Sequence, residues 1–339
     1  MRRKQKKCTP MMSEMRAGFV GLAGLLATTL AAGLGGVATA DEISVTQWGN
    51  SLYGAPFAVS IESGLFKQAG IDITGVIGSN GGGTSVRNIL ASDTPYGEVA
   101  MAAALAAARQ GLDVVIVNSG TRTVAESTLV TMPNSSVSQL SDLVGQKIAI
   151  TSPKSTSEMV FLMELADKKI DATKIERIAS GGYTQGLTML EQGAVAAAVL
   201  IEPLSILRAD RYKTIARAKA ILPAMTTSVG ITTRAYAKAH PEKLKAVIAG
   251  RRLGVQAIYT DPVGASRMMA KQYNMDPVLA ETAMNNMIPV RMWSEGGFNT
   301  VELNRIADGL KLVGEIDALP DWSKLIDKSF LAEDLQGEQ

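Results

Sequence analysis

The sequence predicts an α/β protein of two lobes, each a mainly parallel sheet with helices on both faces. Three observations carry this. Short β-branched runs alternate with helical segments along the chain. The chain has 339 residues, and once an N-terminal leader is set aside roughly 300 remain, a length that favours two domains or lobes. A Gly-rich turn, a short helix, a Gly and a buried strand occur in GGGTSVRNILASDTPYGEVAMAA and again, from Ser180, in SGGYTQGLTMLEQGAVAAAVLI. That recurrence reads either as two lobes of similar plan or as the ordinary grammar of α/β chains.

In order along the chain, Ile43 to Gln47 alternates apolar and polar residues and reads as a strand, stopped by Gly49-Asn50-Ser51. A helix begins near Pro56, since proline suits a first helical turn; it buries Ala58, Ile61 and Leu65 and is broken at Gly64. Ile71 to Ile77 is the next strand, followed by the glycine cluster Gly78 to Gly83 and a helix from Thr84-Ser85 through Leu90. Val99 to Leu105 reads as a short buried strand, and Val114 to Asn118 as a clear one. Leu129 to Met132 and Lys147 to Thr151 are strands; Ser155 and Glu158 then have capping-box spacing. Met159, Leu162, Met163 and Ala166 form one helical face. Ala194 to Ile201 is a buried strand, and the chain beyond Tyr236 is mostly helical, with starts at His240-Pro241-Glu242 and Asp276-Pro277. No low-complexity linker separates the halves, so the lobes are expected at 41–131, 132–225 and, returning to the first, 226–339, with crossings near Thr131 and Thr226.

Residues 1–40 have the composition of an export signal. Arg2, Arg3, Lys4, Lys6, Lys7 and Arg16 precede an apolar run from Ala17 to Val37, and Ala38-Thr39-Ala40 gives a small-x-small cleavage pattern before Asp41. Met11, Met12 and Met15 are alternative starts. The leader carries six Lys/Arg against one Glu, so its removal takes the net charge from +2 to −3. No basic footprint for nucleic acid is then left. Cys8, the single cysteine, lies in the leader, so the mature chain can form no disulfide and no thiolate metal site.

Residues 51–74, SLYGAPFAVSIESGLFKQAGIDIT, resemble the opening of the periplasmic solute-binding proteins of the nitrate, sulfonate and taurine (NitT/TauT, NMT1-like) import family. GGGTSVRNILAS is similar to that family's Ser-Gly turn and helix, and QLSDLVGQKIAIT to its entry into the second lobe. LEQGAVAAAVLIEP is similar to its Gly-x-Val … Glu-Pro element, AHPEKLKAVIAG to its late His-Pro-Glu helix, and LPDWSKLIDKSFL to its C-terminal tail. The resemblance covers almost all of the mature chain and implies a bilobal type II periplasmic-binding fold with the ligand cleft between the lobes. Three departures stand out. Ala196 replaces the usual Asp, Thr94-Pro95-Tyr96 is a small insertion, and Ala102 to Ala104 replace a polar turn bordering the ligand, which favours a bulkier or more apolar solute than taurine.

Candidate ligand residues follow from local chemistry joined to that resemblance. Ser155, Thr156 and Ser157 sit where a strand ends and a helix begins, where free amides and the helix dipole suit an oxyanion; Ser155 alternatively only caps its helix. Gly82, Gly83, Thr84 and Ser85 offer the matching helix start in the first lobe, with glycines permitting close backbone approach. Their spacing is not a dinucleotide fingerprint. Trp48, Asn50 and Tyr53 flank the first strand's exit turn, as ligand walls or as core. Glu202 either meets an amine or holds the hinge, and Arg122 is the candidate cation for an anionic solute. His240 reads as a helix start.

The expected activity is capture of a small organic anion of the sulfonate or taurine type outside the cytoplasm, with closure of the lobes and delivery to a membrane permease driven by a cytoplasmic ATPase. An aromatic carboxylate, nitrate or a vitamin precursor are alternatives within the family. The protein is expected in the periplasm, as a monomer, without cofactor, metal or catalysis. Relatives that make a thiamine pyrimidine use a histidine and a cysteine-rich motif, and the mature chain has no cysteine and only His240. A periplasmic sensor module is the rival from a different class.

Overall fold

Residues 41–337 are described by a computed structural model of the chain; the expected export signal lies outside the described residues. The strands are β1 (Asp41–Thr46), β2 (Ile73–Ser79), β3 (Tyr96–Ala100), β4 (Val115–Ser119), β5 (Ser127–Thr131), β6 (Lys147–Ile150), β7 (Glu176–Ala179), β8 (Ala197–Ile201), β9 (Lys213–Arg217) and β10 (Ser228–Thr232). The helices are α1 (Ala55–Glu62), α2 (Leu65–Gln68), α3 (Gly82–Ala91), α4 (Met101–Arg109), α5 (Thr156–Asp167), α6 (Tyr183–Glu191) and α7 (Leu204–Leu207). They continue with α8 (Arg234–Ala239), α9 (Pro241–Thr260), α10 (Pro262–Tyr273), α11 (Pro277–Met287), α12 (Thr300–Leu312) and α13 (Trp322–Leu325).

The strands form two five-stranded sheets of one plan, β2-β1-β3-β10-β4 and β7-β6-β8-β5-β9. The two copies of the sequence repeat occupy equivalent places: α3 leads into β3, the third strand of the first sheet, and α6 into β8, the third strand of the second. Both sheets are mixed, a modification of the mainly parallel expectation. β1 runs parallel to β2 and β3, and β6 to β7 and β8, but β10 is antiparallel to β3 and β4, and β5 to β8 and β9. The reversed strand in each sheet is the one that arrives from the other lobe. It begins at the junction between lobes and runs away from it, whereas the remaining strands run toward it.

Alternation explains why the second sheet is covered on both faces. Leu129, Ile148, Ile150, Ala197 and Val199 enter one core with Phe161 and Leu165; their neighbours Val130, Ala149, Ala198 and Leu200 enter another with Leu187 and Leu190. This places 127–131 in the second sheet, so the first passage between sheets is 120–126, ahead of the crossing expected near Thr131. The second passage, 218–227, contains Thr226. The two passages are stitched together: Gly120 N–H donates to Ser228 O (2.8 Å), Thr227 N–H to Thr121 O (2.9 Å) and Met225 N–H to Arg122 O (2.9 Å).

Local corrections have simple causes. Val99 to Leu105 is a strand only to Ala100, after which the alanine-rich run is helical, as alanine's propensity favours. α5 buries Met159 and Leu162 but also Val160, Phe161 and Leu165, while Ala166 is exposed, because α12 packs against its other side. Gly309 of α12 makes that approach possible: a Cβ there would lie 2.6 Å from Met163 Sδ. Gly64 separates α1 from α2 at φ +72°, a conformation that glycine adopts without steric cost.

Candidate functional site

The C-terminal ends of strands from both sheets meet at one cleft of about 520 Å³, lined by Thr46 at the end of β1, Ala100 at the end of β3, Thr151 just past β6 and Ile201 at the end of β8. Ligands of open α/β sheets bind at such strand ends, where helix N-termini gather. Three helix starts line this cleft: Gly81 to Thr84 at α3, Ser155 to Ser157 at α5, and Gly181 with Tyr183 at α6.

These starts differ in what their amides already do. Gly81 and Gly182 at the starts of α3 and α6 carry no side chain to cap with; instead Ser79 Oγ donates to Gly81 O (3.0 Å), Ser180 Oγ accepts from Gly182 N–H (3.4 Å), and Gly181 N–H donates to Thr151 O (2.9 Å). At α5, Ser155 Oγ accepts from Glu158 N–H (3.4 Å), Ser157 Oγ accepts from Thr151 N–H (2.9 Å), and Glu158 Oε2 accepts from Lys154 N–H (2.7 Å). The expected capping box is therefore half formed, since Glu158 reaches Lys154 rather than Ser155 and its other oxygen accepts from Arg177 Nε (2.8 Å). Thr156 lines the cleft beside these hydroxyls.

Of the other sequence candidates, Gly82, Gly83, Thr84 and Tyr53 line the cleft. Gly82 also lets α3 meet α4, since a Cβ would lie 2.5 Å from Ala103 Cβ. Ser85 lies beneath, fully buried, and accepts from Thr46 Oγ1 (2.7 Å). Asn50 lines an adjoining cavity of about 610 Å³ that shares Gln47, Asn80 and Tyr183 with the cleft.

Three candidates stand elsewhere. Trp48 does not line the cleft; it packs edge-on against Tyr273, with ring centres 4.9 Å apart, between two apolar cores. Arg122 lines a different pocket, where Nε donates to Glu302 Oε2 at 3.0 Å and Nη2 to Oε1 at 2.5 Å, so its charge is already matched. Glu202 is buried just past the cleft-lining Ile201 and accepts from Asn286 Nδ2 (3.0 Å); burial raises its pKa.

Four titratable cleft residues were not singled out by sequence: Glu126, Lys154, Tyr183 and Glu315. Lys154 Nζ stands 4.0 Å from Glu315 Oε2. Tyr183 follows the second copy of the glycine turn, so the repeat could have pointed to it. Glu126 sits in the first passage between sheets, 4% exposed, and its Oε2 has no hydrogen-bond partner among the described residues. Burial, and then the neighbouring charge of Glu202, push its carboxyl up to about 8 against the smaller opposing effect of a Leu52 backbone hydrogen bond. Of the methyl wall expected from Ala102 to Ala104, Ala102 and Ala103 line the cleft, joined by Ala106, in the first turns of α4, while Ala104 is buried in the core. Among the described residues no group of three His, Cys, Asp or Glu is placed to hold a metal ion, and no helix is long and apolar enough to cross a membrane.

The NMT1/THI5-like family model matches residues 52–265, most of the described chain. The chain belongs to the NMT1/THI5-like family. No curated protein sequence matches it. Among solved structures it is similar to the periplasmic aliphatic sulphonate binding protein SsuA from Escherichia coli, with TM-score 0.68 and 16% identity over 88% of this chain and 94% of that one. It is similar also to the alkanesulfonate-binding protein SsuA from Xanthomonas axonopodis pv. citri bound to MOPS, with TM-score 0.66 and 15% identity over 85% and 98%. The periplasmic nitrate-binding protein NrtA from Synechocystis gives TM-score 0.60 and 12% identity over 72% and 69%. At these identities the likeness is one of fold, and the fold is that of periplasmic binding proteins of ABC importers.

Proposed function

We propose that this family member is the extracytoplasmic solute-binding component of an ABC importer, capturing a small organic anion of the sulfonate or taurine type between its lobes. The observation that carries the reading is the pair of glycine-rich helix starts, Gly81–Gly83 at α3 and Gly181 with Tyr183 at α6, lining one cleft from equivalent positions in the two sheets. The positive ends of two helices stabilise an oxyanion without requiring a matched cation. Lys154 adds positive charge at the rim, and the alanines of α4 supply an apolar wall for the carbon part of the solute. A guest touching both lobes binds the closed arrangement better than the open one and shifts the population toward it. The closed form is then delivered to a membrane permease. Micromolar affinity, about −8 kcal/mol, suffices for scavenging.

Calorimetry on protein exported and processed by the cell, with an alkanesulfonate, taurine and nitrate, tests this directly. Micromolar binding of an organic sulfonate with a smaller radius of gyration in solution scattering is the expected result. Silence toward the organic anions together with unchanged scattering would remove the reading. Mass spectrometry of the same protein should place its first residue near Asp41.

A further inference from the structure

A buried carboxyl with an unpartnered oxygen is costly, and Glu126 at the edge of the cleft is such a group, with its Leu52 backbone hydrogen bond satisfying it only in part. Among the described residues that oxygen has no partner, and the residue sits in the first passage between the sheets and lines the cleft beside residues of both lobes. No cation among the described residues pairs with it. Tyr53 and Tyr183 line the cleft close enough for its charge to disfavour their ionisation, Tyr273 feels it from α10, and Glu202 adds a second carboxyl from the end of β8. Lys154, the cleft's lysine, stands beside Glu315 instead. Two tyrosine rings and a lone carboxyl form the kind of box that receives an ammonium group, through charge pairing and cation–π attraction.

We propose that Glu126, with Tyr53 and Tyr183, is the specificity determinant of this cleft and selects solutes that carry an amino group as well as an anionic end. The inference rests on the cleft reading above and adds the second pole: the oxyanion meets the helix starts of α3 and α6, and the ammonium meets Glu126. A solute without the amine leaves the carboxyl buried and unmatched, which discriminates more strongly than a missing apolar contact would.

Binding of an ammonium requires Glu126 as its carboxylate. Since the free protein holds that carboxyl protonated near neutrality, with Glu202, Tyr53, Tyr183 and Tyr273 the titratable groups facing it, association releases a proton and tightens from pH 6 to 8.

The test uses matched pairs: taurine with ethanesulfonate, 3-aminopropanesulfonate with propanesulfonate, and 4-(aminomethyl)benzoate with 4-methylbenzoate. For at least one pair the wild type should bind the amine about tenfold or more tightly, with proton release read from calorimetry in buffers of different ionisation heat. Glu126→Gln should bring both members within about threefold of each other and abolish the pH slope. A wild type that binds the amine-free members equally well or better, or a preference that survives Glu126→Gln, overturns the inference and leaves the cleft reading standing. Failure of every pair to bind, or binding that ignores a Gly83→Trp block of the cleft, removes both. The proton-release measurement on wild type decides the matter even if the variant does not fold.

Discussion

The first sheet anchors the junction between lobes with a fully buried ion pair; the second relies on a partly exposed one. In the first, Arg251 Nε donates to Glu98 Oε2 at 2.7 Å with both side chains at most 1% exposed, and the same guanidinium donates to Ser294 O and to Gly120 O, where the first passage begins. Ser228 Oγ donates to the other Glu98 oxygen (2.6 Å) and accepts from Thr121 N–H (2.8 Å), so one carboxylate ties both passages to the sheet. In the second sheet's lobe the counterpart pair, Arg177 with Glu158, is 30% and 11% exposed and orders the turn at Lys154 instead. The cleft walls differ in the same sense: a glycine start at α3 on the first side, hydroxyls that already bond one another at α5 on the second. Equal strand plans therefore do not imply equal tasks. One lobe locks its ion pair in the core, and the other holds its pair partly exposed beside the cleft turn at Lys154.

Breaking the buried pair is the largest test of this contrast. Arg251→Met leaves Glu98 charged and unmatched and should cost about 3–5 kcal/mol, read as a lower denaturant midpoint. Arg177→Met should cost at most about 1 kcal/mol, as for exposed pairs. Similar losses would erase the distinction.

Two buried carboxyls give the next effect. Glu126 at the passage and Glu164 in α5 are both pushed up to about 8 by burial, against about 4.3 for an unperturbed glutamate. Each favours the folded state fully below the unfolded value and loses that contribution as pH rises through 8. The melting temperature should therefore fall between pH 6 and 9, on the order of a few kcal/mol of stability. Glu126→Gln and Glu164→Gln should each flatten the fall, and a profile unchanged in both variants would contradict this.

Blocking the walls comes third. Gly83→Trp at the glycine start of α3 should weaken solute binding at least tenfold, about 1.4 kcal/mol, and Thr156→Trp somewhat less, because the α5 amides are partly engaged. The reverse order in calorimetry would make α5 rather than α3 the main anion contact. Ser155→Ala should cost about 1 kcal/mol of stability through the lost cap. The smallest effect is expected from Arg122→Ala, which should leave affinity within about twofold, since that guanidinium is paired with Glu302 away from the cleft.

How far the site could be read follows from which of its residues carry a local signal. Gly82, Gly83 and Thr84, and likewise Ser155 to Ser157, were legible because a strand, a small-residue turn and a helix occur consecutively in sequence, and strand ends gather at the cleft in this class of sheet. Glu126 carried no such signal. TRTVAES has no periodicity, and its meaning appears only when the passages are brought together by hydrogen bonds spanning about a hundred residues. Arg122 misled for the same reason: its partner, Glu302, lies 180 residues away.

Period-two and helical patterns, the glycine turns and the repeat are properties of neighbouring residues, so the sequence alone determined the α/β class, most elements and the two helix starts facing the cleft. Pairing direction, the position of the first passage, the removal of Trp48 into packing against Tyr273 and the burial of Glu126 depend on which distant segments share space. Only the tertiary structure decided those, because burial and charge matching are set by surroundings that no local window contains.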